Sequence, residues 1–254
     1  MSGYLQELRK LQRTKGKKGL WDAGIYKAKQ KEVNSLKKEY DSMLVKKRGV
    51  GHTSKTVHPS KITRCMCEVW IGFFLPEEFH APEIKRLEQG NALHQRIQRE
   101  LDWTFPGLKC EQTLNANELY MTKPRVDAVL SDWVIEIKSA SQRCWEEISK
   151  TKVPREYDAL QLMFYEHEVG IHDGFVIYER KETQVQKWMY VPYLEAVLKP
   201  YLDWFVEVKT RVKEKDPPIH LLDMNSKVCY SCKRRSICEQ LKEGKSIDEI
   251  RAAS

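Results

Sequence analysis

The clearest pattern of hydrophobic and polar positions lies just after the middle of the chain. Two runs rich in β-branched and aromatic residues, 125–130 and 133–138, are separated only by Ser131 and Asp132. Short runs of this composition are typical of strands, and a two-residue connection is typical of a tight hairpin. The pattern therefore predicts a β-hairpin in which Leu130 faces Trp133.

The predicted hairpin brings charged side chains together. In this register Asp127 faces Glu136, and opposed residues of antiparallel strands have Cβ atoms about 4.5–5.5 Å apart, where like charges repel. A divalent cation would relieve that repulsion. Alternation along the strand places Glu136 and Lys138 on one face, with Ile135 and Ile137 directed toward the core. The alternative interpretation is a solvated sheet face that carries ordinary surface charges.

Periodicity elsewhere predicts further elements. Residues 156–167 are apolar at helical spacing, and Tyr157, Gln161 and Tyr165 recur every four residues on one face. The other expectations are helices over 26–45, from an N-cap at Ser60 through Cys65 and Trp70, from Pro82 through His94 with a possible break at Gly90, and over 193–213, and strands near 109–121, 174–178 and 185–191. These elements predict an α/β fold with a mixed central β-sheet flanked by helices.

Composition describes a polar chain. Hydrophobic residues make up 41% and charged residues 31% of its 254 positions. No apolar run approaches the roughly 20 residues that span a bilayer, and we find no apolar region typical of a signal peptide at the N-terminus. We therefore expect a cytoplasmic protein with no membrane partner, in a prokaryotic cell or a virus-infected host cell.

Positive charge is concentrated at the N-terminus. Residues 1–50 contain 14 basic and 5 acidic residues, whereas the remaining chain contains 30 basic and 31 acidic residues. The segment 1–50 is therefore predicted to be a basic helical arm, and 51–254 the main domain. An equally weighted alternative is a solvated helix or tail. The residues expected to attract nucleic-acid phosphates are Lys15, Lys17, Lys18, Lys46, Lys47 and Arg48.

The cysteine spacing indicates a metal or cluster site. Cys229, Cys232 and Cys238 form a Cys-x2-Cys-x5-Cys run, which allows three thiolates to converge on one centre. A fourth ligand would come from Cys65 or Cys67. Four thiolates suit either zinc or an iron-sulfur cluster, and spacing alone does not distinguish them. The other two cysteines, Cys110 and Cys144, are interpreted as ordinary strand and helix residues.

In their order along the chain, these residues resemble the RecB-like branch of the PD-(D/E)xK nuclease superfamily. The likeness is to its iron-sulfur exonucleases, of the CRISPR-adaptation nuclease and AddB nuclease-domain type, and it covers roughly 60–238. The family often has glycine three residues before the aspartate, where this chain has Pro124. The motifs that carry the resemblance are Ser60-x-Ile62-x-x-Cys65, Gly90-Asn91-Ala92-Leu93-His94, Arg125-Val126-Asp127, Glu136-Ile137-Lys138, Gln161-x-x-x-Tyr165 and the Cys229 triplet.

The resemblance implies a restriction-endonuclease-like core and a role for each matched residue. Asp127 and Glu136 supply hard oxygen ligands, and with His94 and the Ile137 carbonyl they would hold Mg²⁺ or Mn²⁺. Lys138 would position or help deprotonate the attacking water. The other two matched residues, Gln161 and Tyr165, would orient Lys138 or the scissile strand. Glu111 is a further candidate acid, with a surface carboxylate as the more ordinary alternative.

The resemblance also favours Cys65 over Cys67, and a 4Fe-4S cluster over zinc, for the site with Cys229, Cys232 and Cys238. The expected function is a metal-dependent DNA nuclease, foremost an exonuclease acting on single-stranded DNA or DNA ends in recombination, repair or replication. Its expected partners are DNA and other recombination or replication proteins. The alternatives are a non-catalytic nucleic-acid-binding or recombination-assembly module and a structure-specific endonuclease.

Overall fold

The computed structural model describes residues 35, 37–43, 45, 46, 50, 51, 53–219, 224 and 226–253. Two compact units are distinguished. One contains the described residues up to Val50 together with Glu78–Ile84, and the other contains Gly51–Glu77 and the chain from Lys85 onward.

In the first unit, residues 37–43 are helical and Val50 forms an isolated antiparallel bridge with Glu78. Lys46 is described and exposed. Most of the predicted helix 26–45 lies outside the described residues, and so do the other basic arm residues Lys15, Lys17, Lys18, Lys47 and Arg48.

The described part of the chain contains both strands and helices, with helices before, between and after two groups of strands. The strands are β1 Lys109–Thr113, β2 Arg125–Leu130, β3 Trp133–Ala140, β4 Asp173–Arg180 and β5 Gln186–Pro192. The helices are α1 Met66–Ile71, α2 Ala81–Thr104, α3 Gln142–Thr151, α4 Glu156–Val169, α5 Glu195–Glu214, α6 Lys227–Tyr230, α7 Arg235–Lys242 and α8 Ile247–Ala253, and a 3-10 helix spans Pro59–Lys61.

The five strands form one mixed sheet in the order β1-β2-β3-β4-β5. Only β3 and β4 are parallel, and the other neighbours are antiparallel. One face of the sheet packs Val176 and Tyr178 against residues of α4 and α5, and the other packs Ile135 and Ile137 against Ile97 and its neighbours on α2. The predicted α/β fold is confirmed, and it is consistent with a restriction-endonuclease-like core.

The hairpin follows the predicted register, with Leu130 paired to Trp133. Ser131 adopts a positive φ of 48° in the two-residue turn, as tight hairpin turns require at their central positions. Ile135 and Ile137 are fully buried. The charged residues between them lie on the opposite face, where Glu136 is only 2% exposed, so the interpretation as a solvated sheet face is wrong.

Two predicted elements are shorter than expected. The helix expected from Ser60 through Trp70 is two helices, because Ile62 and Arg64 bond to carbonyls three residues back and α1 begins only after Cys65. The strand expected over 109–121 ends at Thr113. There the Asn117 side chain accepts the amides of Leu119 and Tyr120, which forms a turn in place of a strand.

Gly90 neither breaks α2 nor receives a close contact. The helix continues through it, and a Cβ added there would meet nothing within 4 Å. Across the described part of the chain, no helix has the length and apolar character that crossing a membrane would require.

Candidate active site

The hairpin places Asp127 beside the strand that carries Glu136. The paired register runs from Leu130–Trp133 to Ala128–Ile135, and Asp127 and Glu136 adjoin this last pair on their strands. Asp127 Oδ2 accepts a hydrogen bond of 2.8 Å from the Ile137 amide. This bond holds the Asp127 carboxylate against β3 at the level of the acidic pair.

Helix α2 contributes two polar side chains one turn apart. His94 Nδ1 lies 3.3 Å from Asp127 Oδ1. Gln98 donates from Nε2 to the Asp127 carbonyl and to Glu111 Oε1, each at 2.9 Å. The predicted histidine therefore meets the predicted aspartate, and Gln98, which the motif analysis did not select, fixes the backbone of the same residue.

Helix α4 closes the other side of the site. Gln161 donates from Nε2 to Glu136 Oε1 at 2.9 Å and to the Tyr165 hydroxyl at 3.1 Å. Lys138 Nζ lies 2.5 Å from Glu136 Oε1 and donates to Gln161 Oε1 at 2.9 Å. Tyr165 is 1% exposed. The four predicted residues thus form one buried hydrogen-bonded network.

Within this network, the pKa of Glu136 is far from its usual value. Burial, followed by the negative charge of Asp127, raises the pKa of Glu136 to about 8. Its Oε2 is buried and has no hydrogen-bond donor among the described residues. A buried carboxylate oxygen without a partner is unfavourable, which makes this atom the natural ligand for a cation.

The two basic groups shift in the direction that neighbouring carboxylates impose. Burial lowers the pKa of Lys138, but Glu136 and Asp158 outweigh it and hold the pKa above its usual value. Burial also lowers the pKa of His94, and its bond to Asp127 with the charges of both acids raises that pKa overall. The carboxylates of the site therefore stabilise the protonated forms of both Lys138 and His94.

The residues present fit a divalent cation in chemistry. Two carboxylates lie on neighbouring strands, an imidazole touches one of them, and one buried oxygen has no hydrogen-bond partner among the described residues. Among the described residues, however, no three His, Cys, Asp or Glu side chains already surround a common point at ligand distances. Asp127 bonds the Ile137 amide and Glu136 bonds Lys138, so ion binding would require these side chains to exchange partners.

Sequence reasoning missed Asp158, which lies in the first turn of α4 and is fully buried. Its Oδ2 accepts hydrogen bonds from the Tyr178 hydroxyl at 2.6 Å and from Arg155 Nε at 2.9 Å. Its Oδ1 has no donor among the described residues. Asp158 precedes Gln161 by three positions, so the helical spacing that selected Gln161 could have found it.

Two other residues considered for the site, Glu111 and Tyr157, make their contacts outside the Glu136 network. Glu111 binds Gln98 through one oxygen and Arg125 Nε, at 2.9 Å, through the other, and its backbone has a positive φ of 51°. Tyr157, predicted on the face of Gln161, is 41% exposed with the Arg155 guanidinium 4.4 Å from its ring centroid. Neither carries a carboxylate or hydroxyl into the network of Glu136.

The cysteines predicted to act together line one small cavity. Its lining consists of Cys65, Cys229, Cys232 and Cys238 with Glu68, Met224 and Arg235. Burial raises the pKa of the Cys65 and Cys232 thiols. Cys67 is fully buried behind them, and its Sγ lies 3.3 Å from that of Cys238.

The two cysteines interpreted as ordinary residues lie away from this cavity. Cys110 is on β1, where its thiol points to the Gln98 carbonyl at 3.8 Å. Cys144 is buried in the core through α3. Four thiols line one cavity, which is the donor chemistry of a structural metal or an iron-sulfur cluster, but among the described residues no three of them already converge on one point at ligand distances.

The structure is thus an α/β domain, consistent with a restriction-endonuclease-like core, that carries Asp127, Glu136 and Lys138 on one hairpin of its sheet. The structure is similar to that of an alkaline exonuclease (LHK-Exo) from Laribacter hongkongensis, with a TM-score of 0.51 and 11% identity over 69% of this chain and 94% of that one. The structure of LHK-Exo in complex with dAMP matches with a TM-score of 0.51 and 12% identity over 70% and 94%.

The structure of SSO0001 is 17% identical over 76% of this chain and 96% of its own, with a TM-score of 0.44. The sequence matches no family model and no curated protein. The likeness to the alkaline exonuclease, at 11% identity, shows a shared fold.

Proposed function

We propose that the protein is a metal-dependent DNA nuclease. The observation that carries the proposal is the meeting of Asp127, Glu136 and Lys138 on one hairpin, with a buried Glu136 oxygen that has no hydrogen-bond donor among the described residues. The fold shared with an alkaline exonuclease supports it. A sheet face that served only packing would have little reason to gather two acids and an ammonium around the buried Glu136 carboxylate.

Each residue has a role that follows from its contacts. Asp127, Glu136, His94 and the Ile137 carbonyl would hold Mg²⁺ or Mn²⁺, which supplies Lewis-acid chemistry by neutralising phosphate charge and promoting ionisation of the attacking water. Lys138 would orient that water and stabilise the negative charge that develops on the phosphate. Gln161 and Tyr165 would hold Lys138 and Glu136 in place through their hydrogen bonds.

For the substrate, we propose single-stranded DNA or DNA with free ends, cut exonucleolytically in recombination, repair or replication. The support is the shared fold of LHK-Exo, which is an alkaline exonuclease and whose structure is known in complex with dAMP, a deoxynucleotide. Contact between the basic arm and DNA phosphates stays a prediction, as does docking on another recombination or replication protein.

End-labelled DNA digested with Mg²⁺ or Mn²⁺ tests the activity. We expect Asp127→Asn and Lys138→Met each to lose at least about a hundredfold in rate, because each removes a group that acts at the phosphate. Asp132→Asn is the matched control, since Asp132 is an exposed acid in the turn of the same hairpin. Full activity of folded Asp127→Asn would overturn the proposal.

The form of the DNA distinguishes the remaining functions. An exonuclease leaves circular single-stranded DNA intact and degrades the same DNA once it is linearised. Cutting of the circle would instead indicate an endonuclease. DNA binding by the wild type without cleavage, in either metal, would favour the non-catalytic module.

We further propose that Cys65, Cys229, Cys232 and Cys238 hold a 4Fe-4S cluster, with zinc as the alternative. The shared cavity supports a four-sulfur site, and the sequence resemblance favours iron. A structural centre there would join the segment before α1 to the C-terminal helices. Iron and sulfide analysis with a visible absorption spectrum of anaerobically purified protein tests this, since a colourless zinc protein would refute the cluster.

A further inference from the structure

Two buried carboxylate oxygens near Lys138 have no hydrogen-bond donor among the described residues: Glu136 Oε2 and Asp158 Oδ1. A divalent cation explains the first under the proposed function. The second belongs to a residue with no role in that function. Buried acceptors without donors are uncommon in folded proteins, so the Asp158 oxygen needs its own explanation.

The Lys138 ammonium has donors to spare. It carries three N–H groups, and its described contacts use two acceptors, Glu136 Oε1 and Gln161 Oε1. One N–H therefore remains for another acceptor. If Glu136 turns its oxygens toward a cation, a second N–H is released and the ammonium loses its paired negative charge. A buried ammonium without a counter-charge is costly, so another carboxylate is required.

Asp158 is placed to provide that charge. Tyr178 pairs with Lys138 in the β3–β4 register, and its hydroxyl donates to Asp158 Oδ2. Arg155 donates to the same oxygen. Asp158 also lies one turn before Gln161, which already accepts from Lys138. Its Oδ2 is therefore occupied, while its Oδ1 has no donor among the described residues, and the Asp158 carboxylate is close enough to Lys138 for its charge to act on the ammonium.

We propose that Asp158 is a positioning residue for Lys138, whose ammonium donates to Asp158 Oδ1 when Glu136 binds the cation. This inference rests on the proposed nuclease function and adds to it a residue that acts through the lysine. Lys138 would thus exchange one carboxylate for another as the metal binds, and would stay charged and directed at the phosphate. The influence of Asp158 on the pKa of Lys138 is consistent with this proximity.

A double-mutant cycle tests the coupling. We expect Asp158→Asn to reduce kcat by roughly tenfold to a hundredfold with little change in KM, as for other residues that orient an active group. Lys138→Met and the double variant should then be equally slow, because Asp158 acts only through Lys138. Rate losses that multiply in the double variant would overturn the proposal. Glu156→Gln, which changes an exposed acid in the same first turn of α4, should leave kcat unchanged.

A second measurement does not need activity. The ¹⁵N–¹H signal of the Lys138 ammonium, assigned by its loss in Lys138→Met, should persist in the wild type at saturating Mg²⁺ and disappear in Asp158→Asn through exchange with water. Disappearance in the wild type itself would overturn the proposal, even if Asp158→Asn failed to fold. A wild type that neither cleaves DNA nor binds Mg²⁺ would refute the proposed function and this inference with it, whereas an active wild type with a multiplicative cycle would refute the inference alone.

Discussion

At the scale of the residue, Glu136 carries the strongest signal in the molecule. It is 2% exposed and shares one of its oxygens between Lys138 and Gln161. Burial and the negative charge of Asp127 raise its pKa to about 8, so the ionised carboxylate is costly to hold there. A residue that is unfavourable for folding and complementary to an ion is typical of a binding site.

Removing the Glu136 charge should abolish the stabilisation that a divalent cation provides. At a cation concentration one hundred times its Kd, the wild type should gain about 2.7 kcal/mol in free energy of unfolding. Glu136→Gln should gain little, because an amide oxygen is a weaker ligand than a carboxylate. Chemical denaturation with Mg²⁺ or with EDTA measures both.

Glu111→Gln is the control for this experiment. Glu111 is a carboxylate on the neighbouring strand β1, and both of its oxygens are engaged by Gln98 and Arg125. Its substitution should leave the Mg²⁺ response intact. An undiminished response in Glu136→Gln would show that the cation binds elsewhere.

At the scale of the element, the packing of α4 on β4 depends on one small residue. Gly174 begins the buried part of β4, where a Cβ would lie 2.8 Å from the Val134 carbonyl oxygen and would also meet the Glu166 carboxylate. Backbone cannot move away as a flexible side chain can. The helix that carries Gln161 and Tyr165 therefore approaches the sheet closely because position 174 has no side chain.

Gly174→Ala should consequently destabilise the protein by roughly 1–3 kcal/mol through overpacking. The matched control is Gly90→Ala in α2, where the added methyl has open space and a helix favours alanine over glycine by about 1 kcal/mol. Opposite signs of the two changes in free energy of unfolding are expected from denaturant melts. Equal effects would contradict the close approach at Gly174.

The same interface contains a second buried acid. Glu166 is fully buried and neither carboxylate oxygen has a donor among the described residues. Burial, with a contribution from Asp173, raises its pKa from 4.5 to about 8. Between these pH values the folded state keeps a proton that the unfolded state has released, so Glu166 makes stability fall as pH rises.

Glu166→Gln should remove that fall. Its free energy of unfolding relative to wild type should rise by roughly 3–4 kcal/mol between pH 5 and pH 8, with the larger benefit at pH 8. Denaturant melts at both pH values measure the difference. Glu118→Gln, at an exposed position, should show no such trend, and a wild-type advantage at pH 8 would mean that Glu166 is ionised in the folded state.

At the scale of the whole molecule, the cysteine cavity joins distant parts of the chain. Cys65 precedes α1, whereas Cys229, Cys232 and Cys238 belong to the C-terminal segment. The core behind the cavity packs residues of α1 against those of α7 and α8: Cys67, Trp70, Ile71 and Leu75 with Cys238, Leu241, Ile247 and Ile250. A bound centre would add a second link to this apolar contact.

We therefore expect Cys232→Ala to lose iron and folded protein together. Cys110→Ser, which changes a thiol outside the cavity, should keep both. Iron content, circular dichroism and soluble yield of the two variants provide the comparison. A soluble, colourless and fully active Cys232→Ala variant would refute a structural role for the centre.

Local sequence pattern by itself determined the hairpin, its register and the shared face of Glu136 and Lys138, because strand alternation and a two-residue turn are short-range properties. The approach of Gln161 to Glu136 was anticipated only as an order of motifs. Ser60 was misassigned as a helix start because three-residue hydrogen bonding around Pro59 competes with helical bonding.

Only the tertiary structure decided which polar groups are buried next to one another. Asp158, Glu166 and Gln98 look like ordinary helix residues in the sequence, and the residues they lie against, Tyr178, Gly174 and Asp127, are on strands. Burial and hydrogen-bond satisfaction depend on the packing of α2 and α4 against both faces of the sheet. Periodicity along a chain does not contain that information, because it reports one element at a time whereas desolvation arises between elements.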